Sequence, residues 1–428
     1  MLARIDVRGT SGDLRAALTL PSTLEPDVGA AVGEIMTAVR DRGAEAVREL
    51  TARLDGADVV DPRVTRREIV AARDRISPRL RAGLEVARDQ IVAWHEAQWG
   101  REAHHERLGI EVTELVVPVD RAGCYVPGGR APLASSVLMT VLAARVAGVP
   151  EVLVCSPPDG DGRVHDAILA AAAVADADEV YAIGGAQAIA AMAYGAGALR
   201  PVDVVVGPGN AYVVEAKRQV FGIVGIDGLA GASEVVVVAD ATVDPEWVAV
   251  DLLAQAEHGP GGAVALIVWD ESVADRVELA LDALLVTADR RDEAAATLEV
   301  GGRIVVVDDP ARAIDAANTI APEHLELMCA EADTLVPLVR NAGAVFVGAD
   351  APAVIGDYVA GTNHVLPTGG TARFASALRI ADFQKHIHVV RAGAGALARV
   401  GPAARSIAEA EGLTAHAASV AMRERPGP

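Results

Sequence analysis

A chain of 428 residues is long enough for two or three domains with a large buried core. Its formal net charge of −21 and its 3 % aromatic content argue against a nucleic-acid surface, which needs basic side chains and stacking rings. Cys124, Cys155 and Cys329 are too few and too widely spaced for a disulfide framework or a CxxC metal knuckle, which fits a reducing cytoplasm.

The N-terminus, MLARIDVRGT, carries charges at positions 4, 6 and 8 and lacks the apolar core of a signal peptide. Up to about Gly100 the chain is rich in Arg, Glu and Ala at helical spacing, as in AVGEIMTAVRDRGAEAVRELTARL, and is expected to be mostly helical. From about Val112, short β-branched runs alternate with Ala-rich runs. EVLVCSPP, EVYAIGG, VDVVVGPGN, EVVVVAD, AVALIVWD, GRIVVVDD and GAVFVG are the expected strands. Continuous apolar strands separated by helices predict doubly covered parallel sheets, and their number predicts two sheets, so the fold class is α/β. Val180 to Leu199 carries no charge over a length that spans a bilayer, but its paired glycines predict strand, tight turn and short buried helix instead. The last fifty residues are expected to return to helix, as a tail too small for a core of its own.

Two strands run into Gly-rich loops, IGGAQA at Ile183 to Ala188 and VGPGNAY at Val206 to Tyr212. In a parallel sheet these lie at the carboxyl edge, and each opens a helix whose N-terminal amides can meet phosphate. CYVPGGR, at Cys124 to Arg130, is a third such loop, and three within a hundred residues favour a nucleotide site.

Asp244 followed by Pro245 predicts a helix start, so DPEWVAVDLLAQAEHG is expected to be one helix ending at Gly259. Gln255 and His258 then share a face near its end, where two ligands converge on one ion. Asp357 is expected in a Gly-bounded turn, and His416 in an Ala-rich helical run with Glu411 five residues before it. Two imidazoles, a carboxylate and an amide oxygen suit zinc, and also manganese or cobalt. In PEHLE, Glu323 and His324 place a carboxylate beside an imidazole just after an expected helix. Either the two serve as separate bases, or Glu323 starts a further helix as a first-turn carboxylate.

QAEHG, PEHLE, GDYVAGTNHVLPTGG and EAEGLTAHA, in that order with YVPGG, GPGN and AGASEV upstream, resemble the histidinol dehydrogenase family from about Pro118 to His416. The resemblance implies two incomplete Rossmann-like domains with a helical N-terminal region and a small C-terminal extension, paired as an intertwined homodimer in the cytoplasm. Its boundaries are 1–21 for an N-terminal segment, 22–124 with 234–377 for the larger domain, 125–233 for the NAD-binding domain and 378–428 for the extension. It implies NAD and zinc, with L-histidinol oxidised through the aldehyde to L-histidine; the charge and the Gly-interrupted apolar run, separately, predict no nucleic-acid or membrane partner. The zinc ligands fall on Gln255, His258, Asp357 and His416, the substrate contacts on Ser233, His324, Glu411 and the metal ligands, and the NAD contacts on Tyr125, Gln187 and Asn210. Glu323 and His324 become the two bases, with Glu411 and His416 reaching the neighbouring subunit's site.

The chain departs from the family where ASALR replaces an expected SSGLS, with Ala377 and Arg379 at the glycine and the last serine. The alternative is a family paralogue that oxidises another small amino alcohol or an anionic diol with the same zinc and NAD machinery, and a guanidinium near the pocket would favour the anionic one. His364 is either a further site residue or a packing element of its turn. A zinc hydrolase using Glu323 to activate water is the reading from another enzyme class, and the three nucleotide-like loops count against it.

Overall fold

The computed structural model describes residues 2–18, 28–100, 103–128, 131–259 and 261–424. Gly129 and Arg130 of the third Gly-rich loop lie outside the described residues. The first strands in chain order are β1 (Ala3–Asp6), β2 (Arg63–Val64), β3 (His104–Arg107), β4 (Ile110–Pro118) and β5 (Arg121–Tyr125). Then come β6 (Glu151–Ser156), β7 (Glu179–Ala182), β8 (Val204–Val206), β9 (Gly225–Ile226) and β10 (Glu234–Ala239). The last are β11 (Ala263–Val268), β12 (Gly302–Val306), β13 (His324–Met328), β14 (Ala344–Val347) and β15 (Gln384–Ala392).

Two six-stranded sheets carry the fold, as the alternating pattern predicts. The first has the order β2-β7-β6-β5-β8-β9, parallel except for the β2 edge. The chain runs outward from β5 through β6 to β7 and then returns to the other side of β5, so strand order reverses between β5 and β8. That switch point opens a crevice at the carboxyl ends, where Tyr125 and the VGPGN loop stand. Helices Val28–Arg42 and Ala44–Leu54 cover this sheet, packing Val32, Met36 and Leu50 with Leu153, Tyr181 and Ile189. The charge-free run from Val180 resolves into β7, a turn and the buried helix Gly185–Tyr194. Among the described residues no helix is long and apolar enough to cross a membrane.

The second sheet is wholly parallel, in the order β1-β12-β11-β10-β13-β14. Along β10, Val235 and Val237 enter one buried cluster and Val236 and Val238 another, so both faces are covered. This double burial is why the strand reads as an unbroken apolar run rather than an alternating one. The edge strand β1 comes from the N-terminal segment, where helix was expected; its burial on the edge is partial, so it lacks the apolar run that marks the inner strands.

A separate compact unit combines Trp99–Val119 with the chain from Gln384 on. It holds the antiparallel sheet β15-β4-β3 and the helices Ala394–Ala410 and Thr414–Arg423. The expectation of a helical tail is corrected for Gln384–Ala392, which is a nine-residue strand pairing with β4 from Pro118 to Ile110.

Inside the first sheet, Lys217 and Asp227 form a buried ion pair around Gly207. Lys217 Nζ donates to the Gly207 carbonyl at 2.9 Å, and the Gly207 N–H donates to Asp227 Oδ2 at 2.7 Å. Gly207 has φ +115°, and a Cβ there would collide with the Tyr125 carbonyl, so only glycine serves.

Candidate functional site

The register of the second sheet builds the candidate active site. Val235 lies opposite His324, which brings the residues just before β10 beside those just before β13. Glu323 Oε2 accepts from the Ser233 hydroxyl at 2.5 Å and from the Glu234 N–H at 2.8 Å. His324 Nδ1 donates to the Glu234 carbonyl at 3.1 Å, while Nε2 lies 3.2 Å from Asp357 Oδ1. Glu323 therefore starts no helix: it ends the loop after the helix Pro310–Ile320, and His324 opens a strand. The pair stands at the amino edge of its sheet, opposite in sense to the carboxyl-edge loops of the nucleotide-like crevice.

Burial sets the electrostatics. It raises the Glu323 carboxyl above the usual range, against the pull of His324 and Ser233. Burial lowers the His324 imidazole, but the charges of Glu323 and Asp357 outweigh it and its pKa rises to about 9. Asp357 would be raised by burial, yet the hydrogen bond and charge of His324 hold it below the ordinary carboxylate value. Glu234 is pushed up to about 7 by burial and then by Glu323.

The expected metal ligands arrive from several elements. The helix that begins at Pro245 ends at Ala256, not at Gly259; Glu257 caps it and Gly259 takes a left-handed φ of +102°. Gln255 thus sits in the last helical turn and His258 in the turn beyond, exposed and within electrostatic reach of Asp357 and His324. Asp357 lies on the short helix Ala353–Tyr358, where a Gly-bounded turn was expected. Glu411 caps the helix Ala394–Ala410 and His416 lies in the helix Thr414–Arg423; both are exposed and belong to the second compact unit. Among the described residues no three His, Cys, Asp or Glu side chains gather as a ready-made cation cage within the chain.

Gln255 supplies a test of fit for a metal. The one hydroxyl hydrogen of Ser233 goes to Glu323, so Ser233, 3.4 Å from the Gln255 amide, can only accept from it. As placed, Gln255 Oε1 faces the Ser233 hydroxyl and Nε2 is the buried atom without a hydrogen-bond partner; turning the amide by 180° gives Ser233 a donor and puts the amide oxygen in the unpartnered position. A buried amide oxygen without a donor, near an imidazole and a carboxylate, fits a borderline-hard divalent cation.

At the crevice of the first sheet, Tyr125 Oη accepts from the Gly185 N–H at 3.0 Å. Gln187 is fully buried and donates through Nε2 to Asp55 Oδ2 at 3.0 Å. Asn210 uses its side-chain oxygen to cap the helix Ala211–Val220, accepting from the Tyr212 and Val213 N–H groups. His364 spends both ring nitrogens on its surroundings, Nδ1 on the Asp357 carbonyl at 2.8 Å and Nε2 on the Ser136 hydroxyl at 3.0 Å, which makes it a brace for the short helix that carries Asp357. Arg379 is exposed.

Sequence reasoning missed Glu234, whose Oε1 accepts from the Gly369 N–H at 3.0 Å, and Glu326, whose Oε1 accepts from the Ala353 N–H at 2.7 Å. Glu326 is raised to about 8 by burial and the charge of Asp251. A charged residue inside or opening an otherwise apolar strand was the available signal, in SEVVVV and HLELM.

The histidinol dehydrogenase family model matches residues 20–424. Histidinol dehydrogenase of Rhizobium meliloti is 47 % identical over 428 residues, spanning 99 % of this chain and 98 % of that one. That of Pseudomonas aeruginosa is 44 % identical over 410 residues, spanning 95 % and 93 %. The crystal structure of histidinol dehydrogenase from Elizabethkingia anophelis matches with a TM-score of 0.94 at 34 % identity, covering 99 % of this chain and 98 % of that one.

Proposed function

Since the chain belongs to the histidinol dehydrogenase family and is an oxidoreductase, we propose that it oxidises L-histidinol to L-histidine through the aldehyde, using NAD and zinc in the cytoplasm. The observation that carries the mechanism is the junction of Glu323 and His324 with the start of β10. Two successive two-electron oxidations are needed, with one water consumed between them, so one group must take the alcohol proton and one must activate water. When bound, NAD accepts hydride and zinc offers an anchor for the substrate's amine and ring nitrogen.

His324 takes the alcohol proton from its neutral form; the charges of Glu323 and Asp357 that raise its pKa to about 9 keep it protonated at neutral pH, so this step should quicken as pH rises toward 9. The His324 Nδ1–H is fixed on the Glu234 carbonyl, which leaves Nε2 as the nitrogen that exchanges a proton. Glu323 serves the water. Both of its hydrogen bonds fall on Oε2, so Oε1 is the oxygen available to a water, and burial gives the carboxylate the raised basicity a general base needs. His324 again takes the proton as the hydrated aldehyde is oxidised to the acid.

Gln255, His258 and Asp357 would hold zinc with His416, and Tyr125, Gln187 and Asn210 would line the nucleotide. The placement of Glu411 and His416 on exposed helical positions of the second unit supports their service to a neighbouring subunit in a homodimer, Glu411 on the substrate and His416 on the metal. The exposure of Arg379 supports a cationic amino alcohol over an anionic diol. The test is NADH absorbance on adding histidinol to zinc-loaded protein, with a chelator arm. Two NADH per histidinol, lost on chelation and restored by zinc, is expected; faster turnover of anionic diols, or full activity in metal-free protein, would overturn the assignment.

A further inference from the structure

Asp55 takes no part in the reading above, yet it lies against Gln187 in the Gly-rich turn after β7, at the carboxyl end of the first sheet. It follows the last residue of the helix Ala44–Leu54, and its carboxylate reaches the turn between β7 and the helix Gly185–Tyr194. A Cβ on Gly184 would lie 3.0 Å from Asp55 Oδ1 and 2.6 Å from Pro157, so this turn closes on Asp55 with no room for a side chain. Asp55 Oδ2 accepts from Gln187 Nε2 at 3.0 Å.

That bond decides the orientation of the amide. An ionised carboxylate only accepts, so the nitrogen end of Gln187 must face Asp55 and the oxygen end must face away. Gln187 Oε1 is buried and has no hydrogen-bond partner, an unfavourable state unless a donor arrives. It lies 2.8 Å from where a Cβ of Gly185 would be, at the Gly-rich turn, so the missing side chain there, on a residue with φ +59°, is what keeps the oxygen from being crowded. Gly185 N–H is already taken by Tyr125 Oη, so it does not supply the donor.

We propose that Asp55 is a positioning residue of the cofactor site: it locks the Gln187 amide so that Oε1 is presented to a hydrogen-bond donor of the nucleotide, a ribose hydroxyl or an amide or amine N–H. This role rests on the NAD reading of the same crevice.

The experiment is NADH and ADP-ribose binding by calorimetry on the full-length protein, in Asp55→Ala, Asp55→Asn, Gln187→Ala and the Asp55→Ala/Gln187→Ala pair. Asp55→Ala should weaken NADH binding about tenfold and leave the KM for histidinol within about twofold. Asp55→Asn, which keeps an acceptor oxygen, should stay within about threefold of wild type. In the Gln187→Ala background the Asp55 change should add less than about twofold, a non-additivity that general destabilisation would not give. Weakening of ADP-ribose alongside NADH places the donor on the ribose or adenine; weakening of NADH alone places it on the carboxamide. Unchanged NADH affinity in Asp55→Ala, or an equal loss in both backgrounds, would overturn the positioning role while leaving the NAD reading standing. No NADH or ADP-ribose binding by the wild type would overturn that reading and the role with it.

Discussion

Ser233 gives its single hydroxyl hydrogen to Glu323 at 2.5 Å, and so ties the water-activating carboxylate to the residue that turns the Gln255 amide. The alcohol step has no use for an activated water. Glu323→Gln should therefore slow aldehyde oxidation by ~10²- to 10⁴-fold while alcohol oxidation falls far less, and His324→Asn should slow both. Single-turnover assays started from histidinol and from the aldehyde separate the two. Equal losses in both half-reactions for Glu323→Gln would sink the two-base assignment.

Mixing inactive His258→Ala chains with inactive His416→Ala chains should recover activity. A mixed dimer would contain one site with both imidazoles intact. The measurement is activity against time after subunit exchange, verified with a size tag on one variant; no recovery would place all the ligands within one chain.

Glu326 has its folded pKa raised from 4.5 to about 8, so between those values the folded state holds a proton that the unfolded chain has lost. Stability must then fall as pH rises across that window, by on the order of a few kcal/mol for this group. Glu326→Gln should flatten the loss: the fall in melting temperature from pH 5 to pH 9 should be smaller in the variant than in the wild type. An unchanged pH slope would show that the carboxyl titrates normally.

Lys217→Met strands the Asp227 carboxylate in the interior, with Gly207 and Gly228 N–H groups as its remaining partners. A loss of about 3–5 kcal/mol is expected, read as a lower urea midpoint. Replacing both partners, as Lys217→Met with Asp227→Leu, should recover part of it. Should the single variant prove as stable as the parent, the pair contributes nothing to holding the Gly207 loop.

Much of this fold was legible because double burial writes itself as apolar runs: β6, β10, β11 and β12 are apolar nearly throughout. Strands buried on one side or at an edge were not legible, as β1 and β15 show, the latter mostly exposed with two histidines and an arginine along it. At the site, Glu323 and His324 were visible as a pair, but their separation came from a strand start rather than helical geometry. The helix through Gln255 was readable to its cap at Asp244, whereas its end was not, because AEHG offers both a helix former and a glycine. Glu234, Asp55 and Lys217 act through partners distant along the chain or through the backbone of another loop, and no local pattern announces such contacts.

The interior acids around β10 and β13 also bear on heat measurements. Glu234 and Glu326, with pKa values near 7 and 8, are substantially protonated in the folded chain at neutral pH and ionised once exposed. Melting at pH 7 must therefore discharge protons into the medium, and whatever buffer captures them adds its own ionisation heat to the scan. The calorimetric enthalpy should consequently be lower in Tris than in phosphate at matched pH and ionic strength, since Tris takes up a proton with far more heat released. The difference should shrink by pH 9, where both carboxyls are already largely ionised in the folded protein and melting has few protons left to release.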